Sequence, residues 1–114
     1  MKKLTFEDAR RLCFEYFNKL EDREQADFLI LHSKNASETA VMIAQNRPDM
    51  NLNIETLRIA GFVHDIGYFI EEENHAEHSI ELLEKEYELD EKLRDCILNH
   101  GTGSVTKIEE GKII

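Results

Sequence analysis

The chain is poor in the residues that staple a fold, break it or anchor it in a bilayer. It has two cysteines, Cys13 and Cys96, widely separated and in no CxxC pair, so neither a disulfide framework nor a thiol redox motif is expected. Both lie where apolar residues recur at helical spacing and read as buried thiols, since free cysteine packs like a small hydrophobe. Its single proline, Pro48, falls in Asn46-Arg47-Pro48-Asp49 and marks a loop. No apolar run approaches the roughly 18 residues that span a bilayer, which excludes a membrane helix. The opening Met1-Lys2-Lys3-Leu4-Thr5-Phe6-Glu7-Asp8 turns acidic too soon for a signal peptide, so a cytoplasmic location is the expectation. Cations are scarce: 14 Lys and Arg face 24 Asp and Glu, a net charge of −10. Such a surface repels a long phosphate backbone and argues against a nucleic-acid module. It leaves room for a small phosphorylated substrate, because a bound dication reverses the local field. β-Alternation, internal repeats and low-complexity tracts are also missing.

What is present is helical punctuation. At 114 residues the chain makes one domain, 1–114, able to fold without staples. Thr5 with Asp8 forms a capping arrangement, Leu4 is placed as a staple, and Phe6, Ala9, Cys13, Phe17 and Leu20 follow in helical phase. A second helix is expected over residues 23–46, with a break near Ser33. A third follows Asn53 and runs to about Ile66, where Gly67 is placed as a C-terminal stop. The run Glu71-Glu72-Glu73-Asn74 reads as a solvated connector, a fourth helix starts near His75, and Asp90 caps a fifth. The fold class is all-α, a compact bundle of about five helices.

Three of the five histidines share a phase. Phe28, His32, Ala36, Thr39 and Ile43 form one stripe on the second helix. Leu57, Ala60 and His64 form another on the third, and Leu93, Cys96, Ile97 and His100 one on the fifth. These stripes direct His32, His64 and His100 toward one interior. A lone histidine on such a face is most simply a hydrogen-bonded core residue. Several together share a cation more readily than they find separate partners, and the adjacent Asp65 adds an anionic oxygen.

His64-Asp65-Ile66-Gly67, preceded by Ile59-Ala60-Gly61-Phe62-Val63, resembles the signature of the HD superfamily of metal-dependent phosphohydrolases. His32 in an upstream helix, His75-Ala76-Glu77-His78-Ser79, Asn99-His100-Gly101-Thr102-Gly103 and the stretch from Thr106 to Ile114 match further elements of that family, over roughly residues 25 to 114. The resemblance implies a metal site in the helical core, with His64 and Asp65 as its catalytic pair. His32, His64 and Asp65 would hold one divalent ion; His75 and His100 would hold a second, bridged by Asp65. His78 stands as the alternative in its segment, as a ligand, a phosphate contact or an exposed residue, with His75 preferred for its spacing to Ser79. The extra histidines resemble the two-metal branch, which includes symmetrical dinucleoside tetraphosphate hydrolases. The family's closing helix carries a last aspartate that this chain does not reach. Glu109 and Glu110 are weak substitutes for it.

Mixed nitrogen and oxygen donors suit Fe, Mn, Co, Ni or Zn. The expected reaction is hydrolysis of a phosphoester or phosphoanhydride of a small metabolite, a nucleotide above all, by metal-activated water. Lys34, Arg58 and Lys107 are candidate phosphate contacts, Lys107 first among them. Tyr68 and Phe69 are candidate walls of a base pocket. A catalytically weak regulatory domain of the same fold is the alternative, favoured by the missing aspartate, and a histidine-packed interaction module is a third reading. No nucleic-acid or membrane partner is expected. Apolar surface near the C-terminal end offers a face on which two copies could pair.

Overall fold

Four helices begin where a short polar side chain accepts a backbone N–H, an interaction that stabilises a helix start by about 1 kcal/mol. In the computed structural model, which describes residues 1–100 and 109–114, Thr5 and Asp8 form a reciprocal capping box at the start of α1 (Phe6–Phe17). Asp22 accepts from Gln25 N–H at 3.1 Å to open α2 (Arg23–Asn46). Asn53 accepts from Thr56 N–H at 2.9 Å to open α3 (Ile54–Val63), and Asp90 accepts from Leu93 N–H at 2.8 Å to open α5 (Glu91–Leu98). Between them lie 3-10 turns at Pro48–Met50 and Ile66–Phe69 and helix α4 (His75–Glu84); α6 (Glu109–Ile113) follows. The class is all-α, with one addition. Lys2–Lys3 (β1) pairs in parallel with Tyr87–Glu88 (β2), Lys2 opposite Tyr87 and Lys3 opposite Glu88. This tie closes the N-terminus over Leu4 and Tyr87, both 2% exposed.

The core lies between α1, α3, α4 and α5. Phe17, Val63, Ile66, Leu83 and Ile97 are fully buried there, each contributing about 1.5–3 kcal/mol of hydrophobic stabilisation, while Leu57 packs with Ala40 and Ala44 of α2 in a smaller cluster. Cys13 and Cys96 are both buried and free. Burial pushes each thiol up to about 12.

α2 departs from the sequence expectation in two ways. It runs unbroken through Ser33, and its inward face is Ala26, Leu29, Ser33, Ser37, Ala40 and Ala44 rather than the stripe containing Phe28. Phe28 is 66% exposed. The reason is steric. α2 and α3 approach so closely that a Cβ on Gly61 would lie 2.4 Å from Ser37 Cα. Small residues therefore fill the contact, and the larger apolar ones are left at its margin.

α3 also differs: it ends at Val63, with His64 as its C-cap, and Gly67 sits inside the following 3-10 turn instead of stopping the helix. Gly67 is required there for a close approach. A Cβ on it would lie 1.8 Å from His75 O and 2.6 Å from Ser79 N. The segment from Glu71 to Asn74 is an exposed connector, and Asn74 enters α4 in the left-handed region at φ 58°.

Candidate metal centre

The end of α3, the turn after it, and one edge each of α2, α4 and α5 meet around a single carboxylate. Asp65 is 6% exposed. Its Oδ2 lies 3.1 Å from His32 Nε2 and 3.2 Å from His64 Nε2. Its Oδ1 lies 3.3 Å from His75 Nε2 and 3.0 Å from His100 Nε2. Burial opposes ionisation of Asp65, but hydrogen bonds with His100 and His64 outweigh it and hold the carboxyl well below its usual range. His100 is held above its ordinary value despite its own burial, by Asp65 and by the Ile97 carbonyl.

The rings are fixed from behind. His64 Nδ1–H donates to the carbonyls of Gly61 at 2.9 Å and Ala60 at 3.1 Å, the second of which also accepts the His64 backbone N–H. His75 Nδ1–H donates to Glu72 O at 3.0 Å, and His100 Nδ1–H to Ile97 O at 2.6 Å. When neutral, with the remaining proton on Nδ1, each of these rings presents a bare Nε2 lone pair to the centre. Those lone pairs converge on a carboxylate and on each other: His75 Nε2 and His100 Nε2 are 2.9 Å apart. Neutral imidazoles in this tautomer repel across such a gap, whereas full protonation would set several positive charges against one carboxylate. A cation among the donors removes both difficulties, and the residues present fit a divalent transition ion.

The donors fall into two groups, each tight enough to hold one ion. One is His32, His64 and an oxygen of Asp65; the other is Asp65, His75 and His100. The two oxygens of Asp65 face different groups, Oδ2 toward His32 and His64 and Oδ1 toward His75 and His100. Exposure rises across the centre, from 3% for His64 and 11% for His100 to 27% for His75 and 45% for His32. His64 is thus the floor, and the open side lies between His32 and His75. Aromatic rings flank that opening: Phe28 stacks on His32 at 5.9 Å and Tyr68 on His75 at 4.4 Å.

Behind the centre, Ser79 joins its two halves. Its buried hydroxyl accepts Gly67 N–H at 2.8 Å and lies 3.0 Å from both His64 O and His75 O, to which it donates. Gly67 and Ser79 were legible in sequence as parts of a motif, but their positioning work was not. Phe28 and His32 share a stripe in the sequence, but the exposed position of Phe28 beside the opening was missed.

The remaining sequence candidates separate by geometry. His78 lies between Glu71 (Nε2–Oε1 2.9 Å) and Glu81 (Nδ1–Oε2 2.9 Å), which clip the acidic connector to α4, and not in either donor group. Glu110 is 3% exposed and committed elsewhere, accepting Asn53 N–H at 2.6 Å at the start of α3 with Lys92 at 3.5 Å. Phe69 packs on Tyr16 at 5.1 Å, away from the opening. Lys34 and Arg58 line a separate cavity among α1, α2 and α3. Lys107 lies outside the described residues, as do Thr102 and Ser104. No described helix is long and apolar enough to cross a membrane.

A model of the HD domain family matches residues 29–114, well over half of the chain and every residue of the two donor groups. Comparison with curated proteins and with solved structures returns no match.

Proposed function

This chain belongs to the HD domain family, whose members are metal-dependent phosphohydrolases, and we propose that it hydrolyses a phosphoester or phosphoanhydride of a small nucleotide at a two-ion centre. The observation that carries the reading is the convergence of four imidazole Nε2 atoms on the two oxygens of one buried aspartate. His32, His64 and Asp65 would hold one ion, and Asp65, His75 and His100 the other. Bound there, Fe, Mn, Co, Ni or Zn would supply Lewis acidity and a water acidic enough to attack at neutral pH.

The chain's own groups do the rest. Asp65 stays ionised and supplies the only negative charge in the donor set. The carbonyls behind His64, His75 and His100 keep the proton on Nδ1, so the ring nitrogens facing the centre remain available. His64, at the buried floor, excludes water from one side, and the substrate enters between His32 and His75. The two stacked rings at that opening support a nucleotide: the exposed face of Phe28 offers a platform for a flat base, a contact of about 1–3 kcal/mol in nucleic-acid systems.

Phosphate release from a panel of nucleotides and dinucleoside polyphosphates tests the proposal. Metal-stripped protein should be inactive and regain activity with one of the five metals. His64→Ala and Asp65→Ala should each abolish turnover. Wild-type rates in either variant would rule the reading out.

A further inference from the structure

On the far side of α2 and α3 from the donor groups lies a second cavity, of about 410 Å³, with a different chemistry. Lys34 is two residues from His32, and Phe62 two from His64. Each pair is therefore separated by about 200° around its helix. The cavity is bounded by α1, α2 and α3 and has no residue in common with the metal centre.

Three cations meet there, Arg10, Lys34 and Arg58, in a chain that carries ten more acidic than basic groups. Arg58 has a carboxylate partner in Glu55 at 3.2 Å. Among the described residues neither Arg10 nor Lys34 has one within ion-pair distance, and Glu38 is the single acidic residue in the lining. The cations are interleaved with Phe6, Phe14 and Phe62. The Arg58 guanidinium lies 3.8 Å over the Phe6 ring, and that of Arg10 lies 5.3 Å over Phe14. Stacking occupies the flat face of a guanidinium and leaves its N–H edge free for an anion. Phe62 meets Phe6 edge-on at 5.6 Å, so the apolar wall is continuous beside the cations.

We propose that this cavity binds a nucleoside di- or triphosphate at a site separate from the metal centre. Several cations on three helices suit a ligand with more than one phosphate better than a lone carboxylate, which one guanidinium satisfies. The phenylalanines supply the apolar surface that a base requires, and the volume falls within the range of small-molecule sites. The aromatic rings and the cations thus address the two halves of one ligand.

The test is calorimetric titration of the full chain with ADP in EDTA, which removes any contribution from ions at the centre. One ADP per chain should bind, with affinity unchanged by Asp65→Ala and reduced at least tenfold by Arg10→Glu and by Lys34→Glu. Phe14→Ala should weaken ADP while leaving pyrophosphate alone unaffected. Arg10 and Lys34 are exposed, so the reversals are expected to fold, and matching thermal melts check this; Lys34→Ala provides a milder variant. Amide shifts on adding ADP should map to α1 and the middle of α2. No binding in EDTA, loss of binding in Asp65→Ala, or indifference to both substitutions of Lys34 would overturn the proposal.

Discussion

Replacing Gly67 by alanine adds one methyl group at the point where the two halves of the centre are joined. The new Cβ would lie 1.8 Å from the carbonyl oxygen of His75 and 2.6 Å from Ser79 N. Both are backbone atoms, so no rotamer change can relieve the contact. The shortfall from ordinary van der Waals contact is roughly 1.5 Å, and it must be met by moving the turn or the start of α4. His75 leads that helix, so its Nε2 would leave its present 3.3 Å from Asp65 Oδ1. Overpacking of this kind costs about 1–3 kcal/mol, or roughly 4–12 °C in Tm for a domain of this size. A displacement of about 1 Å at a catalytic centre is worth on the order of 100-fold in rate. Thermal melts, metal content and phosphate release from Gly67→Ala read out the three effects. A variant melting within about 1 °C of wild type, with full metal content, would show that Gly67 does not set the spacing of the centre.

Ser79→Ala leaves Gly67 N–H buried without its acceptor and should cost about 1–3 kcal/mol in denaturant unfolding, with a loss of metal affinity that a mere surface hydroxyl would not produce. Glu110→Ala removes the buried acceptor at the start of α3 and should lower stability by about 1–3 kcal/mol while leaving metal binding intact; lost metal with unchanged stability would instead make Glu110 a ligand. The two thiols, pushed up to about 12 by burial, should resist a disulfide reagent at pH 8 until denaturant is added, and prompt reaction of native protein would contradict that burial. Glu81 and Glu71 raise His78 above its ordinary value, so its NMR titration should have a midpoint above 6.5. The clip stabilises the connector while His78 is protonated and weakens as pH rises through that midpoint. A midpoint at or below 6.5 would remove the clip.

Local chemistry carried most of what the sequence revealed. Caps such as Thr5 and Asp90 depend on a side chain and a backbone N–H three residues apart, and α1, α3 and α5 bury large apolar residues at regular spacing. The phase of α2 was misread because its inward face is built from Ser33, Ser37, Ala40 and Ala44, whose fit to Gly61 is a property of two helices together. The pairing of β1 with β2 was invisible for the same reason, since two-residue strands far apart in sequence have no periodicity. At the centre, phase identified His64 and His100, and the family resemblance supplied His75. His32 meets Asp65 even though the stripe assigned to it is not the buried one. The role of Ser79 depends on three backbone groups that only the folded chain brings together.

Calorimetric titration of metal-stripped protein, wild type and Asp65→Asn, with Mn, Fe, Co, Ni and Zn tests the central claim most directly. Wild type should take up two ions of at least one of these metals per chain. Asp65→Asn keeps the side-chain volume but loses the bridging charge, and should retain neither ion tightly. A wild-type chain that takes up no ion, or a variant that binds the same number with the same affinity, would contradict a centre organised around Asp65.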